Sequence, residues 1–338
     1  MDSQETGVLY DWLAMDNDDE AEYMSLEDFN KALDIVIPHV HRWKSFEISV
    51  HDYHYMHPTL SRLSELPGAP MLEQLRLYHH DVESETDETF SPAELREPRV
   101  VLFSGNTPKL AELALWGVHV DWTRTITHVR NLVDLELAYH TQDVRPSFKD
   151  FSRILKRSTG SLRTMSLCGS GPAGESHDAW LESFDEEEIR TAAMDGDGST
   201  SVMSIHLPAL RHLNVAYHTP EYAAALVNTL SMPGLTDLSL DYELEDFSPY
   251  ANALARSSFL PNITSLKLQS LPCDVECIVS LLRRMKTNLR MLNISFNFCG
   301  TSLTTFCLHR PSLTPPIRFH VVQVTHQPAQ RRRTRSLV

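Results

Sequence analysis

One short pattern returns nine times along the chain and restricts its fold more than any other feature. Each copy has apolar residues at i, i+3 and i+5. The copies begin at Trp43, Leu72, Leu110, Leu132, Leu162, Leu210, Leu235, Ile263 and Leu289. Their middle residues are Phe46, Leu75, Leu113, Leu135, Met165, Leu213, Leu238, Leu266 and Leu292, and each last residue follows two places later. Two apart is the period of a strand, so the last two face one side of it, and the first fits a bend leading in. Successive starts lie 22 to 48 residues apart, mostly in the range where self-similarity denotes stacked units. A leucine-rich helical protein would instead carry a stripe at i, i+3, i+4 and i+7.

Pro70, Pro108, Pro208, Pro233 and Pro261 stand two places before their frames, where a residue lacking an N–H suits the approach to a strand. Helix-start signals lie between frames. Ser25 and Asp28 resemble a capping box, with Phe29, Leu33 and Val36 on one face. Ser147 precedes Phe148, Phe151, Ile154 and Leu155, and Asp274 precedes Ile278, Leu281 and Leu282. Thr219-Pro220 and Ser248-Pro249 each set a cap residue before a proline at the first helical position. The unit is therefore helix, loop and short strand. The expected fold class is α/β, with parallel strands on one face and helices on the other, each unit burying its apolar side only against its neighbours.

These P-x-L-x-x-L-x-L runs make the chain similar to leucine-rich repeat proteins. The stretches 41–48, 69–77 and 117–122 resemble the F-box/leucine-rich-repeat proteins of basidiomycete fungi. The likeness covers residues 25–298. It implies an irregular, right-handed leucine-rich-repeat solenoid with strands on the concave face and helices on the convex face. It also implies a role as the substrate-binding part of an F-box-type ubiquitin-ligase receptor. The chain departs from the pattern in two ways. Asn three places after the last strand leucine occurs only as Asn297, while His80, His140 and His218 hold that place elsewhere. The three-helix F-box is not recognisable in residues 1–24, so a ligase adaptor is expected as a partner only if an F-box lies upstream.

Charge divides the chain. Residues 1–34 carry eleven acids and one lysine, and residues 169–204 nine acids and one arginine. Together these exceed the net charge of −15 for the whole chain. The acidity therefore sits in an N-terminal segment (1–24, running into the first helix) and in loop insertions at about 79–98 and 169–204. Such segments are expected to be solvated. The repeat body lacks a basic excess, which argues against nucleic acid as a partner. No apolar run is long enough for a membrane span, and no leader is visible, so a cytoplasmic or nuclear protein is expected. Residues 299–338 lose the frame and end in a basic cluster at Arg331, Arg332, Arg333 and Arg335.

No catalytic, metal or cofactor residues are assigned. His51, His54 and His57 are the densest ligand-like group, but neither helix nor strand spacing unites all three, and a polar loop is expected. The start of a calcium loop at Asp195-Gly196-Asp197-Gly198 lacks its closing glutamate, because His206 stands there. Five cysteines without a second close pair read as free thiols. An enzyme with its site in the histidine-rich stretch or the acidic insertion is the rival to a recognition module, and a stand-alone repeat scaffold is the third reading.

A protein partner is expected on the strand side chains that alternate with the frame. The candidates are Arg76, Tyr78, Trp116, Asp134, Glu136, His212, Asn214, Asp237, Asp241 and Lys267. Trp116 stands out as an aromatic at an outward position, since aromatic anchors often dominate binding energy. Tyr139, Tyr217 and Tyr242 at the strand exits are expected to form a rim or to pack under loops.

Overall fold

A computed structural model describes residues 24–80, 89–125, 129–187, 204–242, 245–269, 271–285, 287–295 and 318–322. The nine frames become nine strands: β1 (Ser45–Val50), β2 (Gln74–His79), β3 (Glu112–Trp116), β4 (Asp134–Ala138), β5 (Thr164–Cys168), β6 (His212–Ala216), β7 (Asp237–Asp241), β8 (Ser265–Gln269) and β9 (Met291–Ser295). All pair in parallel and in sequence order. The middle frame residues align without a slip, from Phe46 opposite Leu75 through to Leu266 opposite Leu292. A tenth strand, β10 (Arg318–Val322), extends the sheet beyond β9 from within the tail, where the sequence showed no frame.

The junctions are as regular as the strands. Before β2 to β9, one carbonyl of the preceding unit accepts two successive N–H groups. Lys44 O receives Glu73 and Gln74, and Glu73 O receives Ala111 and Glu112; the scheme continues through Thr264 O, which receives Arg290 and Met291. Ahead of that, the first frame residue closes a turn: Leu72 N–H donates to Ala69 O, Leu110 to Thr107 O, Leu210 to Leu207 O, Leu235 to Met232 O and Ile263 to Leu260 O. The five prolines therefore hold the second position of a β-turn, for which their fixed φ is suited. This gives them a more specific role than merely avoiding a ladder bond.

The frame side chains point into one core, in which Leu72, Leu77, Leu132, Leu135, Leu137, Leu162, Met165, Leu167 and Leu210 are fully buried. Helices cover that side: α1 (Leu26–Val36), α2 (Tyr53–Glu65), α3 (Trp122–Thr125), α4 (Phe148–Arg157), α5 (His177–Leu181), α6 (Pro220–Thr229), α7 (Ser248–Arg256) and α8 (Val275–Met285). Ser25, Ser147 and Thr219 cap α1, α4 and α6 through side-chain oxygens that accept an N–H three residues on. Ser248 does not cap α7. It lies inside the helix, after Phe247, and its hydroxyl accepts from Asp274 N–H instead.

Both insertions contribute to the core where they are described. Phe90 packs on Tyr53 and His119, and its N–H donates to Asp143. Trp180, on α5, is fully buried between Phe148 and Tyr222. Residues 81–88 and 188–203, including the Asp195–Gly198 stretch, lie outside the described residues, as do residues 1–23, Asn297, Cys299, Cys307 and the arginine cluster. No helix among the described residues is long and apolar enough to cross a membrane.

Candidate recognition face

The residues alternating with the frame form three rows across the other face of the sheet. In register, the first runs Gln74, Glu112, Asp134, Thr164, His212, Asp237, Ser265. The second runs Glu47, Arg76, Ala114, Glu136, Ser166, Asn214, Ser239, Lys267. The third runs Ser49, Tyr78, Trp116, Ala138, Cys168, Ala216, Asp241, Gln269. Most are half-buried, as expected of side chains standing beside one another on an open sheet.

Arg76, Tyr78, Trp116, Asp134 and Glu136 come together over β2–β4. The Arg76 guanidinium bridges Glu112 at 2.9 Å and Glu47 at 3.4 Å. Burial raises the Asp134 carboxyl to about 6, with nearby Glu112 adding to the shift. Burial also raises Glu136, with Asp134 adding to it, while the Trp116 indole and Arg76 pull it back. Only Glu112 and Glu47 pair directly with Arg76, which reaches Asp134 and Glu136 through space. His212, Asn214, Asp237 and Lys267 lie farther along: His212 approaches Asp237 at 3.5 Å, and Asn214 donates to Ser166 Oγ at 3.0 Å. Asp241 is only 7% exposed and is not available to a partner as the alternation implied. Its carbonyl accepts Tyr217 N–H.

The third row is aromatic at one end. Trp116 meets Tyr78 edge-on at 4.8 Å, His80 at 5.4 Å and Tyr139 at 5.8 Å, and Tyr139 lies 6.5 Å from Tyr217. Trp116 and Tyr139 pack on Ala138, Cys168 and Ala216, an apolar cluster separate from the main core. Tyr242 is not part of it; it is fully buried against Phe247 and Tyr250.

The backbone under this row is unusual. The residue after each of β3 to β6 has φ near +55°: Gly117, Tyr139, Gly169 and Tyr217. Glycine adopts that conformation freely, whereas a tyrosine is strained there.

The histidines take structural places. His140 is buried, with Nε2 2.9 Å from Val118 O and Nδ1 2.7 Å from Ser170 Oγ. The carbonyl requires Nε2 to donate, so Nδ1 accepts the serine proton. His140 therefore satisfies a backbone group of the preceding unit, as an Asn in that place would. His54 and His57 stand on α2, whose cap Asp52 accepts His54 N–H; the expected polar loop is a helix. Among the described residues, no group of three His, Cys, Asp or Glu side chains is placed to hold a metal ion.

No protein-family model matches the chain, and no curated protein does.

Glu47 was not singled out from the sequence, although it holds in the first frame the alternating position that Arg76 holds in the second. The αL tyrosines carry no such signal, because φ is not written in a residue's identity.

Proposed function

We propose that the protein is a non-catalytic recognition module, an irregular leucine-rich-repeat solenoid whose open sheet face is concave and takes a protein partner. The supporting observation is that eight successive strands carry their non-frame side chains in unbroken register on one face. That face holds partly exposed acids, amides and aromatics rather than a leucine layer. At about 4.8 Å per strand the surface runs roughly 40 Å, enough for a folded or extended partner. The likeness to F-box/leucine-rich-repeat proteins extends the reading to substrate selection for a ubiquitin ligase.

Quantitative affinity capture from cells tests both parts. Ser166 lies mid-face, beside Asn214. Ser166→Trp, checked by melting for an intact fold, is expected to remove most bound protein, whereas Glu221→Trp on α6 leaves it. Equal capture by both variants would overturn the recognition face. A cullin and its adaptor among the captured proteins support the ligase role, and their consistent absence removes it.

A further inference from the structure

We propose that the open face over β2–β4 receives an arginine or lysine side chain from an extended basic segment of the partner protein. This rests on the recognition reading above and adds the chemistry of what is recognised.

Charge complementarity is the first argument. Glu112, Asp134 and Glu136 stand together on β3 and β4, with Glu47 across Arg76 on β1, and Arg76 is the one guanidinium or ammonium among them. Partial burial has taken Asp134 and Glu136 out of bulk water without giving either a close cation, and their raised affinity for protons reports that deficit. A cation arriving from a partner would relieve it, and in a half-buried site the attraction is stronger than in water.

The aromatic row is the second argument. A guanidinium or ammonium is drawn to tryptophan and tyrosine rings by their quadrupoles. Trp116 and Tyr78 stand in the row beside Arg76 and Glu136. The Trp116 indole also acts directly on Glu136, which sets the ring beside that carboxylate. Carboxylates beside aromatic rings suit a cationic group that carries its own hydrogen-bond donors.

Backbone strain falls on the same row. Gly117 and Gly169 show that these strand exits are served by glycine, yet Tyr139 and Tyr217 hold the same φ and line the row with rings. A non-glycine residue in this region costs roughly 1–2 kcal/mol, and such outliers concentrate where function retains them. Tyr217 is 39% exposed, so much of its ring is open to an incoming group.

The test follows the indole N–H signal of Trp116 by NMR, assigned by its loss in Trp116→Phe. The probe is a short Gly/Ser peptide carrying two arginines, and the control replaces both with citrulline, which keeps the shape and removes the charge. The expected result is a saturable shift with the arginine peptide alone, and affinity lower by about tenfold in Asp134→Asn/Glu136→Gln, whose fold is checked by melting. Equal shifts from both peptides, or undiminished affinity in the double variant, would overturn the proposal. No shift at about 10 mM arginine peptide would also overturn it. If cellular capture remains sensitive to Ser166→Trp in that event, the recognition face stands and only its basic partner falls.

Discussion

His140 illustrates how a single residue couples this fold to pH. Burial holds its imidazole neutral, down to about 3, and His218 is held to about 3 for the same reason. An unfolded histidine titrates near 6.5. Between those values the unfolded chain binds more protons than the folded one, so stability falls as pH drops below about 6.5. Each of the two histidines is expected to cost about 2 kcal/mol by pH 5, read as a falling denaturation midpoint from pH 7 to 5. His140→Asn, which can still reach a carbonyl, should flatten that slope. Asp134 acts in the opposite sense. Its folded carboxyl titrates at about 6 against an ordinary 3.8, so the folded chain takes up its proton first and stability rises as pH falls through that window. Asp134→Asn should therefore stabilise the protein at pH 7 by at most about 3 kcal/mol, less for the solvent screening of a carboxyl that is only partly buried, with the difference vanishing below about pH 3. The alternation of Asp134 with the frame leucines is legible in the sequence. Its partial burial is not, because that depends on neighbours from β3 and β5.

The strand with its leading turn is the element that the sequence specifies most fully. Frame leucines, a proline in the turn and outward polar residues agree with one another, and agreement between levels is what fixes a local structure. Leu137→Ala, in the middle of the sheet and fully buried, should cost 2–5 kcal/mol in denaturant titration, about the usual range for such a cavity. Tyr217→Gly offers a sharper distinction. Relief of the positive φ should offset about 1–2 kcal/mol of the lost ring packing, leaving stability nearly unchanged, while weakening the arginine-peptide interaction. Helix starts were less legible. Ser147 and Thr219 cap as their spacing implies, but the Phe247–Ser248 backbone shifts the start of α7 by one residue, and Ser248 serves the neighbouring Asp274. That tertiary demand has no local sequence signal.

At the scale of the whole molecule, the parallel order of β1 to β9 follows from spacing alone, since each short unit can bury its leucines only against the next. What spacing left open is what the insertions do. Trp180 and Phe90 return to the core from segments read as solvated loops, because a single large aromatic can anchor a polar stretch. The rows on the open face bring into one place acids and rings from β1 to β6, and that meeting is what supports a recognition function. Site-specific photo-crosslinking in cells tests it most directly, with the reactive residue placed at Tyr78 or Asn214 on the open face and at Glu221 or Arg283 on the helices. A discrete protein adduct is expected from the open-face positions alone; adducts only from the helix positions would contradict a recognition role for that face.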